Sequence, residues 1–126
     1  MANPSIVNAT AVGKEVIRRS YIDHSAETEA TILTGVANHI MTIVSIIICE
    51  NRGEDSTFDM YVDYDLGGTN CYLIQGEPVA SRKTFVWNDK FAITATDKLH
   101  FLGLAAGGDA GFDVWCTYID QQFAAP

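Results

Sequence analysis

The sequence predicts an all-β chain: an antiparallel β-sandwich of jelly-roll or Ig-like type, with about eight to nine strands behind an extended N-terminal arm. Three observations carry that prediction. No stretch of a dozen residues shows the i, i+3, i+4, i+7 apolar spacing of an amphipathic helix. Runs of β-branched and aromatic residues recur instead, at intervals of roughly 8–12 residues. Between the runs lie residues that accept positive φ or bond to their own backbone: Asn51 to Ser56, Leu66-Gly-Gly68, Gln75-Gly-Glu-Pro78 and Gly107 to Gly111.

Taken in order, residues 1–12, with Asn3-Pro4 and small side chains, read as the arm, and residues 13–126 as a single domain. At 126 residues the chain can bury a core without disulfides or a metal. Strands are expected over residues 13–22, 28–34 and 39–50, each a β-branched run. The third is apolar on both faces, with Ile40, Val44, Ile46 and Ile48 on one and Met41, Ile43, Ile47 and Cys49 on the other. A sandwich buries one face of each sheet, so either a subunit, an arm or a loop covers the second. Strands over residues 57–64 and 70–75 flank the Leu66-Gly-Gly68 turn, and Gln75 to Pro78 closes the latter. Phe85-Val-Trp87 and Phe91-Ala-Ile93 fit the arms of a tight hairpin with Asn88-Asp89 as its loop. A turn at Ala95 to Lys98, in which Asp97 bonds to its own backbone, leads from residues 91–95 to a strand over residues 98–104. There His100, opposite in parity to Leu99 and Phe101, faces solvent or a neighbour. Residues 112–120 form the closing aromatic strand.

Sixteen acidic against eight basic residues give a net charge of −8. Nucleic-acid binding draws on basic side chains to displace counterions from phosphates, and only Arg18-Arg19 and Arg82-Lys83 offer paired cations, so no nucleic-acid partner is expected. No membrane partner is expected either. The longest apolar run, Ile40 to Cys49, is about half the ~20 residues a spanning helix requires. The N-terminus lacks the basic start and apolar core of a secretion signal, which points to synthesis in a cytoplasm. Cys49, Cys71 and Cys116 lie at no zinc-ligand spacing and read as small apolar core residues.

Sites for chemistry are weak. Asp59, Asp63 and Asp65 share a strand face and could approach a cation, yet the calcium-loop pattern fails at Gly67 and Ile74. His24, His39 and His100 accompany no strained nucleophile, and Gly67-Gly68 and Gly107-Gly108 precede strands, not phosphate-binding helices. No enzyme, no metal and no cofactor are expected. Trp87-Asn-Asp89 and Asp63-Tyr-Asp65 have the side chains of a sugar-binding loop.

From Thr34 onward the order of motifs is specific. Gly35 to Asn38 enters a long apolar strand. Tyr72-Leu-Ile74 then leads to Pro78-Val-Ala80, to Phe85 through Ile93, to Ala95-Thr-Asp-Lys-Leu-His-Phe101, to a glycine-rich turn and to a strand ending at Tyr118-Ile-Asp120. Over residues 34–120 this resembles the small β-sandwich virion proteins of tailed bacteriophages. The resemblance implies a structural role, foremost a capsid decoration (cement) protein on the outer surface of the virion. It also implies the major capsid protein as partner and a homo-oligomer, with a trimer favoured. A neck or tail component and a glycan-binding module are the alternatives. The residues expected to contact a subunit or the capsid are Ile6, Val7, Arg18, Arg19, Met41, Ile43, Ile47, Trp87 and His100.

Overall fold

Strands form along nearly every expected run of this computed structural model, which describes residues 15–64, 68–105 and 107–123. They are β1 (Glu15–His24), β2 (Ala30–Thr34), β3 (His39–Glu50), β4 (Ser56–Tyr64), β5 (Thr69–Val79), β6 (Thr84–Trp87), β7 (Phe91–Ile93), β8 (Lys98–Ala105) and β9 (Phe112–Gln122). The proposed arm, with Ile6 and Val7, lies outside the described residues.

All pairings are antiparallel and divide the strands between two sheets. The first has the order β1-β9-β3-β6, with β7 also on β3; the second has the order β2-β8-β4-β5. Counting β6 and β7 as one interrupted strand, this is the eight-strand jelly roll, a pair of interlocked Greek keys, and not the Ig arrangement.

That interruption corrects the expected hairpin. β6 pairs Ile46 to Cys49 and β7 pairs Met41 to Ile43, so both run along β3 and neither pairs the other. Asn88-Asp89-Lys90 is a break in one strand, and the Trp87 indole N–H closes it by donating to the Asp89 carbonyl at 2.6 Å. The break faces a bulge. Ile43 pairs Tyr118 and Ser45 pairs Thr117, leaving Val44 without a β9 partner. One extra residue reverses every side chain beyond it. Hence Met41, Ile43, Ile46 and Ile48 all point into the core, while Ile40 and Ile47 point out. The expected division of β3 into two regular faces is wrong for this reason, and Met41 (4% exposed) and Ile43 (0%) are core residues with no surface to offer a partner.

A second bulge replaces the expected turn at Gln75 to Pro78. Gly76 adopts φ 68°, and its N–H donates to Asp59 Oδ1 at 2.7 Å, so β5 continues through it as a single strand. The turn at Ala95 to Lys98 forms as expected: Thr96 takes φ 74° and Asp97 Oδ2 accepts the Thr94 N–H at 3.0 Å. Gly35 passes so close to this turn that a Cβ there would sit 1.9 Å from the Thr94 carbonyl oxygen, so alanine cannot replace it without moving backbone.

Aromatic rings fill the space between the sheets. Phe58 stacks on Phe101 at 5.3 Å, and Phe112 meets Phe101 edge-on at 5.3 Å. Around them pack Ile43, Ile46, Ile48, Met60, Ile93, Leu99 and Val114. At one end the buried Glu50 carboxylate accepts backbone N–H groups from Arg52 (2.8 Å), Gly53 (2.9 Å) and Arg82 (2.8 Å), tying two loops together.

Only one of the three cysteines is the core residue expected of all. Cys116 is buried, Cys49 is half-buried and Cys71 is exposed on β5. Burial pushes the Cys116 thiol up to about 12. Since the thiolate is the reactive form, a disulfide reagent at neutral pH should label Cys71 at once, Cys49 more slowly and Cys116 only on unfolding. Rapid labelling of Cys116 in the native protein would contradict this packing.

Candidate functional site

The outer face of the first sheet carries the most distinctive surface. Register places Tyr21 beside Trp115, Trp115 beside Ile47, and Ile47 beside Val86, a straight row across β1, β9, β3 and β6. All four are exposed: Tyr21 by 54%, Trp115 by 41%, Ile47 by 42% and Val86 by 47%. β3 is the central strand here, and no loop among the described residues covers its outer side. Four aligned apolar side chains in water constitute the kind of patch that marks a protein-binding surface.

The flanks of the row differ in charge. On one side Arg19 pairs Thr117 across the strands, and its guanidinium lies 5.8 Å from the Trp115 ring centroid, a cation–π contact. On the other, Asp23 and Asp113 stand directly opposite one another. The Tyr21 hydroxyl donates to Asp113 Oδ1 at 2.7 Å, and this hydrogen bond, aided by the neighbouring carboxylates, pushes the phenol up to about 12. Among the described residues no cation lies within ion-pair reach of either aspartate.

The outer face of the second sheet has another character. Thr31, His100, Tyr61 and Tyr72 form a row by register, with Tyr61 and Tyr72 rings 5.0 Å apart and Tyr61 and His100 5.5 Å apart. Glu29 closes over this row: it accepts the Tyr61 hydroxyl and lies 3.6 Å from His100 Nε2. Burial, then the Glu29 hydrogen bond, raise the Tyr61 phenol. Asp63 approaches His100 to 3.9 Å. Among the described residues no three His, Cys, Asp or Glu side chains converge as a metal site. Asp59 is engaged with Gly76, and Asp65 lies outside the described residues.

The expected contact residues therefore scatter. Ile47 and Arg19 fall on the apolar row and its flank. Arg18, on the same strand but of opposite parity, donates to Asp120 at 2.9 Å and is held within the chain. Trp87 points inward, half-buried edge-on against Phe91. His100 does face outward as its parity requires, yet it is only 5% exposed, because Thr31, Tyr61 and Glu29 surround it; open solvent is not its environment. Sequence reasoning missed Tyr21, Val86 and Trp115 as members of one surface. The period-2 alternation of Ile17, Arg19 and Tyr21 on β1 was the local signal available.

No family model matches the sequence. No curated protein matches it either. Solved structures do share its fold. A chain from Bacillus endospore appendages, described as a novel family of disulfide-linked pili, aligns at 21% identity and TM-score 0.52, over 98% of this chain and 100% of that one. A chain of infectious bursal disease virus, Gx strain, aligns at 9% identity and TM-score 0.53, over 89% of this chain and 34% of that one. This chain thus spans about a third of the viral chain's length. A pentameric capsid protein from metagenomic phage sequences aligns at 17% identity and TM-score 0.40, over 82% of this chain and 61% of that one. At these identities the likeness is one of fold alone, an all-β sandwich of two antiparallel sheets that this chain shares with the bursal disease virus chain and the endospore appendage chain.

Proposed function

We propose that the chain is a non-enzymatic structural subunit of a tailed-phage virion, foremost a capsid decoration (cement) protein bound to the major capsid protein at the outer surface of the head. The observation that supports it best is the exposed row Tyr21-Trp115-Ile47-Val86, a surface with no use in an isolated molecule and a clear one in an assembly. The likeness of fold to viral particle chains agrees with this reading, as does the motif order over residues 34–120. Bridging copies would add buried interface between capsid subunits and so raise the barrier to rupture of the shell.

A neck or tail component would use the same fold at lower copy number. Gel densitometry of purified virions separates the two: decoration requires copies in proportion to the capsomers, neck or tail only the few its ring symmetry allows. Absence from virions would sink both. A glycan-binding role is favoured by one observation, the Tyr61-Tyr72 ring pair with Asp63 and Glu29 alongside. It calls for oligosaccharide binding that Tyr72→Ala abolishes.

A further inference from the structure

The apolar row and its unequal flanks together specify a partner. Arg19 and Asp23 lie on β1 two residues either side of Tyr21, so the row separates a cation from an anion on one strand. A two-fold axis lying along the row turns the face over onto a second copy. It keeps each position along the row and exchanges the flanks. Arg19 of one copy then meets Asp23 and Asp113 of the other, and the reverse contact forms at the same time. We propose that this face is an isologous dimer interface, its occupant a second copy of this chain, and the inference rests on the assembly role proposed above.

Two features point to this partner rather than to an unrelated protein. Asp23 and Asp113 are like charges directly opposite across a strand pair, an arrangement that is destabilising in isolation. A guanidinium brought between them relieves it, and the face itself supplies one at the symmetry-related position. The apolar positions on the row also match: the axis sets Trp115 over Trp115 and Ile47 over Ile47. Four strands at ~4.8 Å spacing and about 30 Å of strand length give roughly 600 Å² in projection. That is of the order of the ~800 Å² per partner that stable interfaces bury. Each strand lies antiparallel over its own copy, so the two sheets pack with their strand axes aligned.

The full chain, analysed by sedimentation velocity and by light scattering after size exclusion, should be a dimer that dissociates on dilution. Arg19→Asp sets like charges against Asp23 and should weaken the dimer roughly tenfold or more. Asp23→Arg should do the same. The double variant Arg19→Asp/Asp23→Arg restores an opposite-charge pair between positions 19 and 23, though Asp113 stays, and should recover association well above either single variant. Because both positions are on the outer face, circular dichroism of each variant should match the parent. A monomer at every concentration, a trimer, or a double variant no better than the singles would each overturn the dimer. Binding of the same variants to capsid shells reads the decoration role separately. Monomeric protein that still coats shells leaves that role standing and assigns the row to the shell, whereas a dimer that ignores shells does the opposite.

Discussion

Phe58→Ala is expected to cost about 3–5 kcal/mol of folding stability, the range found for deleting a buried aromatic ring. For a domain of this size that is on the order of a 10–20 °C fall in Tm. Phe58 is fully buried, stacks on Phe101 and meets Phe85 and Phe112 edge-on at 5.3 and 6.1 Å. It thereby touches rings from β6, β8 and β9 and joins the two sheets at one point. Neighbouring rings cannot close the gap, because each already packs against the others. Urea unfolding of parent and variant measures the loss; one below about 1 kcal/mol would mean that this ring is not a centre of the core.

Glu50→Gln should be nearly as damaging, by about 2–4 kcal/mol, through a different cause. The carboxylate offers only acceptors to the N–H groups of Arg52, Gly53 and Arg82, and an amide turns one of its oxygens into a donor facing a donor. The same site makes stability depend on acid. Burial by itself would raise the Glu50 carboxyl, but the N–H groups of Arg82, Gly53, Arg52 and Glu54 together outweigh it, and the net effect holds Glu50 below its ordinary 4.5. The folded state therefore binds this proton less tightly than the unfolded chain. Its contribution is complete above the unfolded value and is lost as pH falls through the lower folded one. Urea midpoints from neutral pH downward should show a steeper acid limb in the parent than in Glu50→Gln. Parallel limbs would mean that Glu50 does not titrate in this way.

Much of the strand pattern was legible because its signals are local. β3 (His39–Glu50) and β6 (Thr84–Trp87) begin and end where β-branched and aromatic residues give way to turn-formers. The bulge at Val44 was not, since a run apolar at every position looks the same whether or not its parity slips, and Met41 and Ile43 were assigned to the wrong face as a result. Asn88-Asp89 has the composition of a hairpin loop, and only β3, lying alongside both β6 and β7, decides that the strand continues. The candidate surface was least legible. Tyr21, Trp115, Ile47 and Val86 come from four strands far apart in the chain, and their alignment is a fact of register that no window of sequence contains.

The position of β9 has a consequence for how the molecule comes into being. β9 lies between β1 and β3, yet it is the last of the described strands to leave the ribosome. Until then β1 has no neighbour in its sheet and β3 offers a bare edge along its full length. The first sheet cannot settle until β9 has emerged to join β1 to β3. During that interval the hydrophobic strand β3 is an open template for other chains, so a protein of this topology made at high level depends on finishing quickly or on being held apart from its siblings.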